Sequence, residues 1–560
     1  MLSFDLGKEE FIELASGIKQ PCLIQLLARV DEGSPACSPL ELYFALRSSG
    51  TSGYSYMLES VEKQASKARY SFVGNDPDAV LTINDRKISL ELLNPKASTL
   101  FEVISSKIEE YCGPEAVKTE NSEREDVGPK KADAERADIE LKNVKFTAVI
   151  PHGKDSFDAL RLAFPTANGM ELLNAKRFDR QTFLGGAIGY TAYDAIYDSW
   201  LGVEKGFESE VPELQYLLTS KTFVFDHLTD EIYIAVALLI NPGSDAGNLY
   251  EKALLEAERL CFILKEAALY GDSIETAASG TLTASGSSFS VCDTDQQKFE
   301  ASVLQAKEHI FAGDIFQAVL SRKCEFTLEQ SPFELYMQLR AINPSPYMYL
   351  FEFGDLAIVG ASPETLLTVH KRTLIINPIA GTCPRGKSEE EDEALASHML
   401  DDEKERAEHV MLVDLGRNDV RMVAESGSVK VSGFMEVLKY SHVQHIESTV
   451  SGALRPECDQ FDAFRAVFPA GTLSGAPKIR AMEIISELEA SPRGIYGGGV
   501  GYYSWNGDAD FAIVIRTVLV KGNKASVQAG AGIVADSDPG YEYRETERKM
   551  AAMLAAIGEN

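Results

Sequence analysis

The second half of the chain alternates two hydrophobic rhythms, and that alternation limits its architecture more than any other feature. Runs rich in β-branched and aromatic residues occur at 348–353 (MYLFEF), 356–360 (LAIVG), 373–379 (TLIINPI), 429–438 (VKVSGFMEVL), 511–520 (FAIVIRTVLV) and 526–534 (SVQAGAGIV), and each reads as a strand. Segments 294–312, 391–415, 475–490 and 540–557 carry a helical period instead. Many strands with amphipathic helices between them call for large sheets with helices packed outside. The first half mixes strand-like runs (TFVFDHL, EIYIAVALL) with a long helical one (LYEKALLEAERLCFILKEA). The expected class is α+β: a large core of packed antiparallel β-sheets with outer helices, plus a smaller mixed N-terminal domain.

Two stretches read as insertions or linkers, the first almost free of large apolar side chains. Residues 113–143 are densely charged and residues 271–290 are Gly/Ser/Thr-rich, as in flexible insertions and linkers. They suggest an N-terminal domain over 1–270 carrying the acidic 113–143 insertion, a linker over 271–291, and a catalytic domain over 292–560. The eight cysteines form no C-x-x-C pair and are expected to be reduced thiols of a cytoplasmic protein. The N-terminus lacks the basic and apolar regions of a signal peptide, and no apolar run is long enough to span a membrane. With 85 acidic and 54 basic side chains, the net charge is −31. A basic footprint for nucleic acid or an anionic membrane is therefore not expected, and any anionic substrate needs a locally positive site.

Several constellations could carry chemistry. Glu405 and Glu408 stand three apart, as do Glu542 and Glu545, so on helices each pair shares a face. Two such helices face to face would bring four carboxylates to one point, a magnesium cradle; solvated surface is the plainer alternative. The glycine-containing segments 378–382 (PIAGT) and 528–532 (QAGAG) read as turns after strands, whose amides suit an anion, or as ordinary tight turns. Arg516 sits in an Ile/Val-rich run, where a charge needs a partner or a use. Lys478 begins a helix whose first N–H groups could receive an anion. His442 and His445 lack the companions of a zinc site.

Taken together, these segments resemble the chorismate-binding enzyme family, and within it the anthranilate synthase large subunits. The strings that carry the resemblance are DIFQAVLSR (314–322), NPSPYMYL (343–350), GASPETLL (360–367), PIAGTCPRG (378–386), AEHVMLVDLGRND (407–419), FPAGTLSGAPKIRAMEII (468–485), YGGGVGYYSWNGDADFAIVIRT (496–517) and VQAGAGIVADSDP (527–539). In the first half, MLESVEKQASKARYSFVG (57–74) is similar to the family's partner domain. The resemblance implies Glu408 and Glu545 as Mg²⁺ ligands, with Glu405 and Glu542 holding the metal's waters. It implies Gly381, Thr382, Tyr496, Arg516, Gly530, Ala531 and Gly532 as chorismate contacts, Glu364 as general acid and His445 as the active-site histidine.

It further implies that chorismate and ammonia become anthranilate and pyruvate. Ala380 and Gln317 stand where relatives that make aminodeoxychorismate or isochorismate carry lysines, so those activities are less well matched. A catalytically silent tryptophan-binding regulator is the other alternative, and the intact acidic set argues against it. No cysteine lies in a G-x-C-x-G turn, so a glutamine amidotransferase activity belongs to a separate subunit of a hetero-oligomer. Leu58, Glu59 and Ser60, with Asn343, Pro344, Ser345, Pro346, Tyr347 and Met348, resemble the family's tryptophan feedback site. Their hydroxyl and carboxylate groups would take the ammonium of an amino acid.

Overall fold

The computed structural model describes residues 2–30, 37–50, 52–61, 69–121, 144–175, 178–271, 291–439 and 443–558. The core of the expected 113–143 insertion, most of the expected linker and His442 lie outside these residues.

Strands pair into two thirteen-stranded sheets among the described residues. The pairing is antiparallel except where Cys22–Arg29 runs parallel to Glu171–Leu173. Alternation along the strands assigns the layers. In the strand Tyr347–Phe353, Tyr349 and Phe351 join Tyr56, Tyr190, Val500 and Tyr502 in a core between the sheets. Met348 and Leu350 face the other way, toward helices Pro39–Ser49, Ala246–Ala267 and Pro332–Ile342. The second sheet covers its outer face with Ser98–Cys112, Glu403–Arg421 and Gln460–Val467. The result is a helix–sheet–sheet–helix sandwich, the layering that a period-2 pattern with apolar residues on both faces demands.

Both halves of the chain build both sheets. Tyr54–Glu59 pairs with Tyr347–Phe353 in the first sheet, and Gly186–Thr191 with Gly499–Ser504 in the second. The sequence boundary at 271–291 thus falls within a shared pair of sheets. No helix among the described residues is long and apolar enough to cross a membrane.

Six local readings are corrected. The segment 391–415 is two helices, Glu389–Asp401 and Glu403–Arg421; Asp402 breaks the run and caps the second by accepting from the amides of Lys404 and Glu405. The run 511–520 is two strands, Ala509–Ile513 in the second sheet and Thr517–Lys521 in the first. Residues 379–384 form a bulged strand rather than a turn, and 528–532 lie inside the strand Lys524–Ile533. The start of the acidic stretch is ordered as a strand, Val117–Asn121, paired with Val144–Val149. Finally, Cys292 and Cys324 form a disulfide, with Cα atoms 4.0 Å apart. The register of two antiparallel strands sets them opposite each other, which no spacing motif reveals; Cys22, Cys37, Cys112, Cys383 and Cys458 are free thiols.

Candidate active site

Arg516 stands where the chain crosses from one sheet to the other. Its φ is +50°, a left-handed conformation that a non-glycine residue adopts at a cost. The residue is partly buried, and burial pushes its pKa below the ordinary value. It donates to the Asn343 side-chain oxygen at 3.3 Å, and no carboxylate pairs with it among the described residues. A cation taken partly out of water without a matching charge is costly, and this one is open to an anion.

The strand Lys524–Ile533 supplies amides beside it. The Val319 and Ser321 amides of the neighbouring strand donate to the Ser474 carbonyl and the Glu489 carboxylate. The residues opposite them, Gly532 and Gly530, therefore turn their backbone groups away from that neighbour. The Gly530 carbonyl accordingly accepts from Lys549 Nζ at 2.9 Å. On this side the adjoining strand pairs only as far as Val518–Val527, so the Gly532 N–H looks out past a strand end, while the Gly530 N–H is offered to the Tyr496 phenol oxygen. A Cβ at Gly530 would meet the Leu320 carbonyl at 2.7 Å and the Tyr496 hydroxyl at 2.9 Å; one at Gly532 would meet Gln317 Nε2 at 2.6 Å. Ala531 does not share this face: its side chain is packed with Phe299 and Ile484 under the outer helices. Tyr496 is buried, which raises its phenol pKa against the opposing pull of Arg493.

Glu364 follows the strand Leu356–Ser362 and accepts from the Thr472 hydroxyl at 2.8 Å. It lines a cavity of about 370 Å³ with Pro378, Gly416 and Thr472. Across the bulged strand, His445 Nδ1 lies 2.9 Å from the Gly381 carbonyl and 3.0 Å from the Thr382 hydroxyl. A carbonyl only accepts, so Nδ1 carries a proton. Gly381 has φ +69°, and a Cβ there would approach Glu405 Oε2 to 3.2 Å.

The acidic pairs occupy helices Glu403–Arg421 and Pro539–Ile557. Burial, then Glu408, raise the Glu405 pKa, and Glu545 adds to this from the other helix. Burial also raises that of Glu542, with Glu545 adding to it and a Ser537 hydrogen bond opposing. Glu408 accepts from Gln317 Nε2 at 3.1 Å, while Gln317 Oε1 is buried without a hydrogen-bond partner. Glu545 pairs with Lys549 at 2.8 Å. The expected meeting of four carboxylates at one point is not formed: no three His, Cys, Asp or Glu side chains among the described residues are grouped to hold a metal. Mutual repulsion across the two helices, an orphaned amide oxygen and an all-oxygen donor set nevertheless fit a hard divalent cation, which takes one or two carboxylates and keeps waters.

A separate cavity of about 580 Å³ opens beside the paired strands Tyr54–Glu59 and Tyr347–Phe353. Of the nine residues expected at an effector site, Leu58, Glu59, Ser60, Pro346, Tyr347 and Met348 line it; Asn343, Pro344 and Ser345 do not. Asn343 turns to Arg516 instead. The Glu59 carboxylate is already engaged by Arg340 at 2.7 and 2.8 Å and by the Tyr336 hydroxyl at 2.7 Å, which corrects its expected role toward an ammonium. The acid that sequence reasoning missed is Asp510. Burial raises its carboxyl to about 6, against hydrogen bonds from Gln181 and Tyr347. Arg69 and Arg180 line the same cavity and were also missed, since each is one charge in an ordinary polar stretch. Lys478, which begins the helix whose first N–H groups were read as open to an anion, has its side chain buried in an ion pair with Asp419 at 2.8 Å. Lys549, which bridges Gly530 and Glu545, and Thr472, which holds Glu364, were missed too; the i,i+4 spacing of Glu545 and Lys549 was the one signal available.

The family described as chorismate binding enzyme matches residues 136–555. Anthranilate synthase component 1 2 of Haloarcula marismortui is 44% identical over 100% of this chain and 96% of that protein. Anthranilate synthase component 1 of Haloferax volcanii is 43% identical, covering 100% of this chain and 98% of that one. The crystal structure of anthranilate synthase component I from Streptococcus pneumoniae TIGR4 superposes with a TM-score of 0.64 at 32% identity, over 88% of this chain and 94% of that one.

Proposed function

This chain belongs to the chorismate-binding enzyme family, and we propose that within it the chain is the large subunit of a Mg²⁺-dependent anthranilate synthase, converting chorismate and ammonia to anthranilate and pyruvate. The observation that carries the reading is Arg516, a partly buried cation without a carboxylate partner among the described residues, at the strand end past which the Gly532 N–H looks out.

Chorismate is a dianion, and this protein has a net charge of −31. Arg516 would take one carboxylate as a fork, and the Gly532 N–H would add a fixed donor. Glu408 and Glu545 would hold Mg²⁺, with Glu405 and Glu542 behind them; when bound, the ion polarises the ring carboxylate and offsets its charge. Hydroxide leaves poorly from carbon, so Glu364, steadied by the Thr472 hydroxyl, protonates the C4 oxygen as ammonia adds at C2. His445, its Nδ1–H committed to the Gly381 carbonyl, presents Nε2 to accept the C2 proton as the enolpyruvyl group leaves as pyruvate. Ala380 supplies no amine for a covalent adduct, and Gln317 no base for activating water.

Ammonia would come from a glutamine amidotransferase subunit in a cytoplasmic hetero-oligomer. Tryptophan would inhibit from the cavity at Leu58–Ser60, where Asp510 is the better partner for its ammonium. The test supplies purified protein with chorismate, Mg²⁺ and ammonium at alkaline pH and identifies the products. Anthranilate with pyruvate is expected; isochorismate or aminodeoxychorismate alone, or no turnover, overturns the reading.

A further inference from the structure

The loop that leads to Tyr496 begins with a residue that none of the reasoning about substrate or metal requires. Arg493 is buried, its side chain only 2% exposed, in an ion pair with Glu489. Its Nε and Nη2 donate to the two Glu489 oxygens at 2.8 and 2.7 Å. Nη1 donates to the Leu473 carbonyl at 2.6 Å, and Nη2 also reaches the Val319 carbonyl at 2.7 Å. The guanidinium carbon lies 4.4 Å from the Tyr193 ring centre and 5.6 Å from that of Tyr496. One planar group thus meets two carbonyls, a carboxylate and two aromatic rings, using four of its five N–H donors.

Each arm ends one step from a candidate site residue. Leu473 follows Thr472, whose hydroxyl holds Glu364. Val319 stands opposite Gly532. Glu489 accepts from both the amide and the hydroxyl of Ser321 at 2.7 Å, and Ser321 stands opposite Gly530. Tyr496 touches the guanidinium directly. A salt bridge kept only for stability has no need of such a set, since buried ion pairs add little net stability.

We propose that Arg493 is a positioning residue for the reaction: it fixes the Thr472–Glu364 acid, the Gly530–Gly532 strand and the Tyr496 ring in one register. The inference rests on the anthranilate synthase reading above. Lysine keeps the charge but has no plane to lie between rings and no fork to span two carbonyls and a carboxylate. Tyr193 offers a second handle: its ring lies over the guanidinium and against Gly497 of the loop, its amide donates to the Gly494 carbonyl, and its buried hydroxyl has no hydrogen-bond partner among the described residues.

The experiment compares Arg493→Lys, Tyr193→Leu and Tyr193→Phe in ammonium-driven anthranilate formation, with thermal unfolding as the check on folding. Loss of register at the acid should lower kcat of Arg493→Lys by about 10- to 100-fold while the chorismate KM moves less than about 3-fold. Tyr193→Leu should show the same split, and Tyr193→Phe, which keeps the ring, should restore kcat to within about 2-fold of the parent. A purely structural role would lower the unfolding temperature without this split. A folded Arg493→Lys with parental kcat overturns the proposal; if that variant does not fold, parental kcat in Tyr193→Leu overturns it instead. A parent chain that forms no anthranilate sinks the anthranilate synthase reading itself, a result distinct from either.

Discussion

Arg516 shows how much one residue can announce and how much it withholds. Its placement among Ile and Val marks it as a charge with a purpose, and that was legible in the sequence. Its φ of +50° and the crossing between sheets were not, because 511–520 keeps an unbroken apolar pattern through the break. The cost of burying it predicts a trade of stability for function. Arg516→Met should raise the thermal midpoint by removing an unmatched cation, and should cut kcat/KM for chorismate by about 10- to 100-fold, the worth of a charged hydrogen bond. Calorimetry and initial rates on the same preparation check both; a variant that loses stability would mean that the cation is already satisfied. Asp510 makes a second residue-scale prediction. Burial raises its folded pKa to about 6, above the value of about 4 expected in the unfolded chain. The folded state therefore holds the proton more tightly, and the associated stability is present below about pH 4 and lost as pH rises through about 6. Asp510→Asn should match the parent near pH 4 and become the more stable of the two above pH 6. Midpoints that differ by a constant amount across that range would refute the assignment.

At the level of elements, the acidic pair Glu405–Glu408 was visible from spacing, but its support was hidden. The segment 389–421 keeps a helical pattern through Asp402, so one long helix was the natural reading. The break at Asp402 makes Glu405 a first-turn residue, where the positive end of the helix favours a carboxylate, and it aims the pair toward the helix Pro539–Ile557. Asp402→Ala removes the acceptor for the Lys404 and Glu405 amides and should lower stability. It should also raise the Mg²⁺ concentration needed for half-maximal activity. Ser388, which caps Glu389–Asp401, supplies the control: Ser388→Ala should lose comparable stability and leave the Mg²⁺ requirement unchanged. Equal Mg²⁺ titrations for both variants would separate the cap from the metal site. The glycine segments were misread as turns for a related reason. Amides that face outward because a neighbouring strand has ended look, in sequence, the same as amides freed by a turn.

For the whole molecule, local patterns predicted sheets and outer helices and could not predict how the halves interleave. Strand partners such as Tyr54–Glu59 and Tyr347–Phe353 lie hundreds of residues apart, and nothing in either run names the other. Composition alone placed a boundary near 271–291, yet both sheets cross it. Each half on its own would expose the long edge of Tyr54–Glu59 or Tyr347–Phe353 and that of Gly186–Thr191 or Gly499–Ser504, along with the aromatic layer between the sheets. Unpaired apolar edges of that length favour aggregation over folding. Residues 1–271 and 291–560 expressed separately should therefore be insoluble or unfolded. Co-expressed as two chains, they should purify as one complex with a single cooperative unfolding transition, because the cavity beside Tyr54–Glu59 and the cross-sheet core draw residues from both. A stable, monomeric 1–271 fragment with its own sharp transition would show instead that the N-terminal half folds as a unit and merely docks.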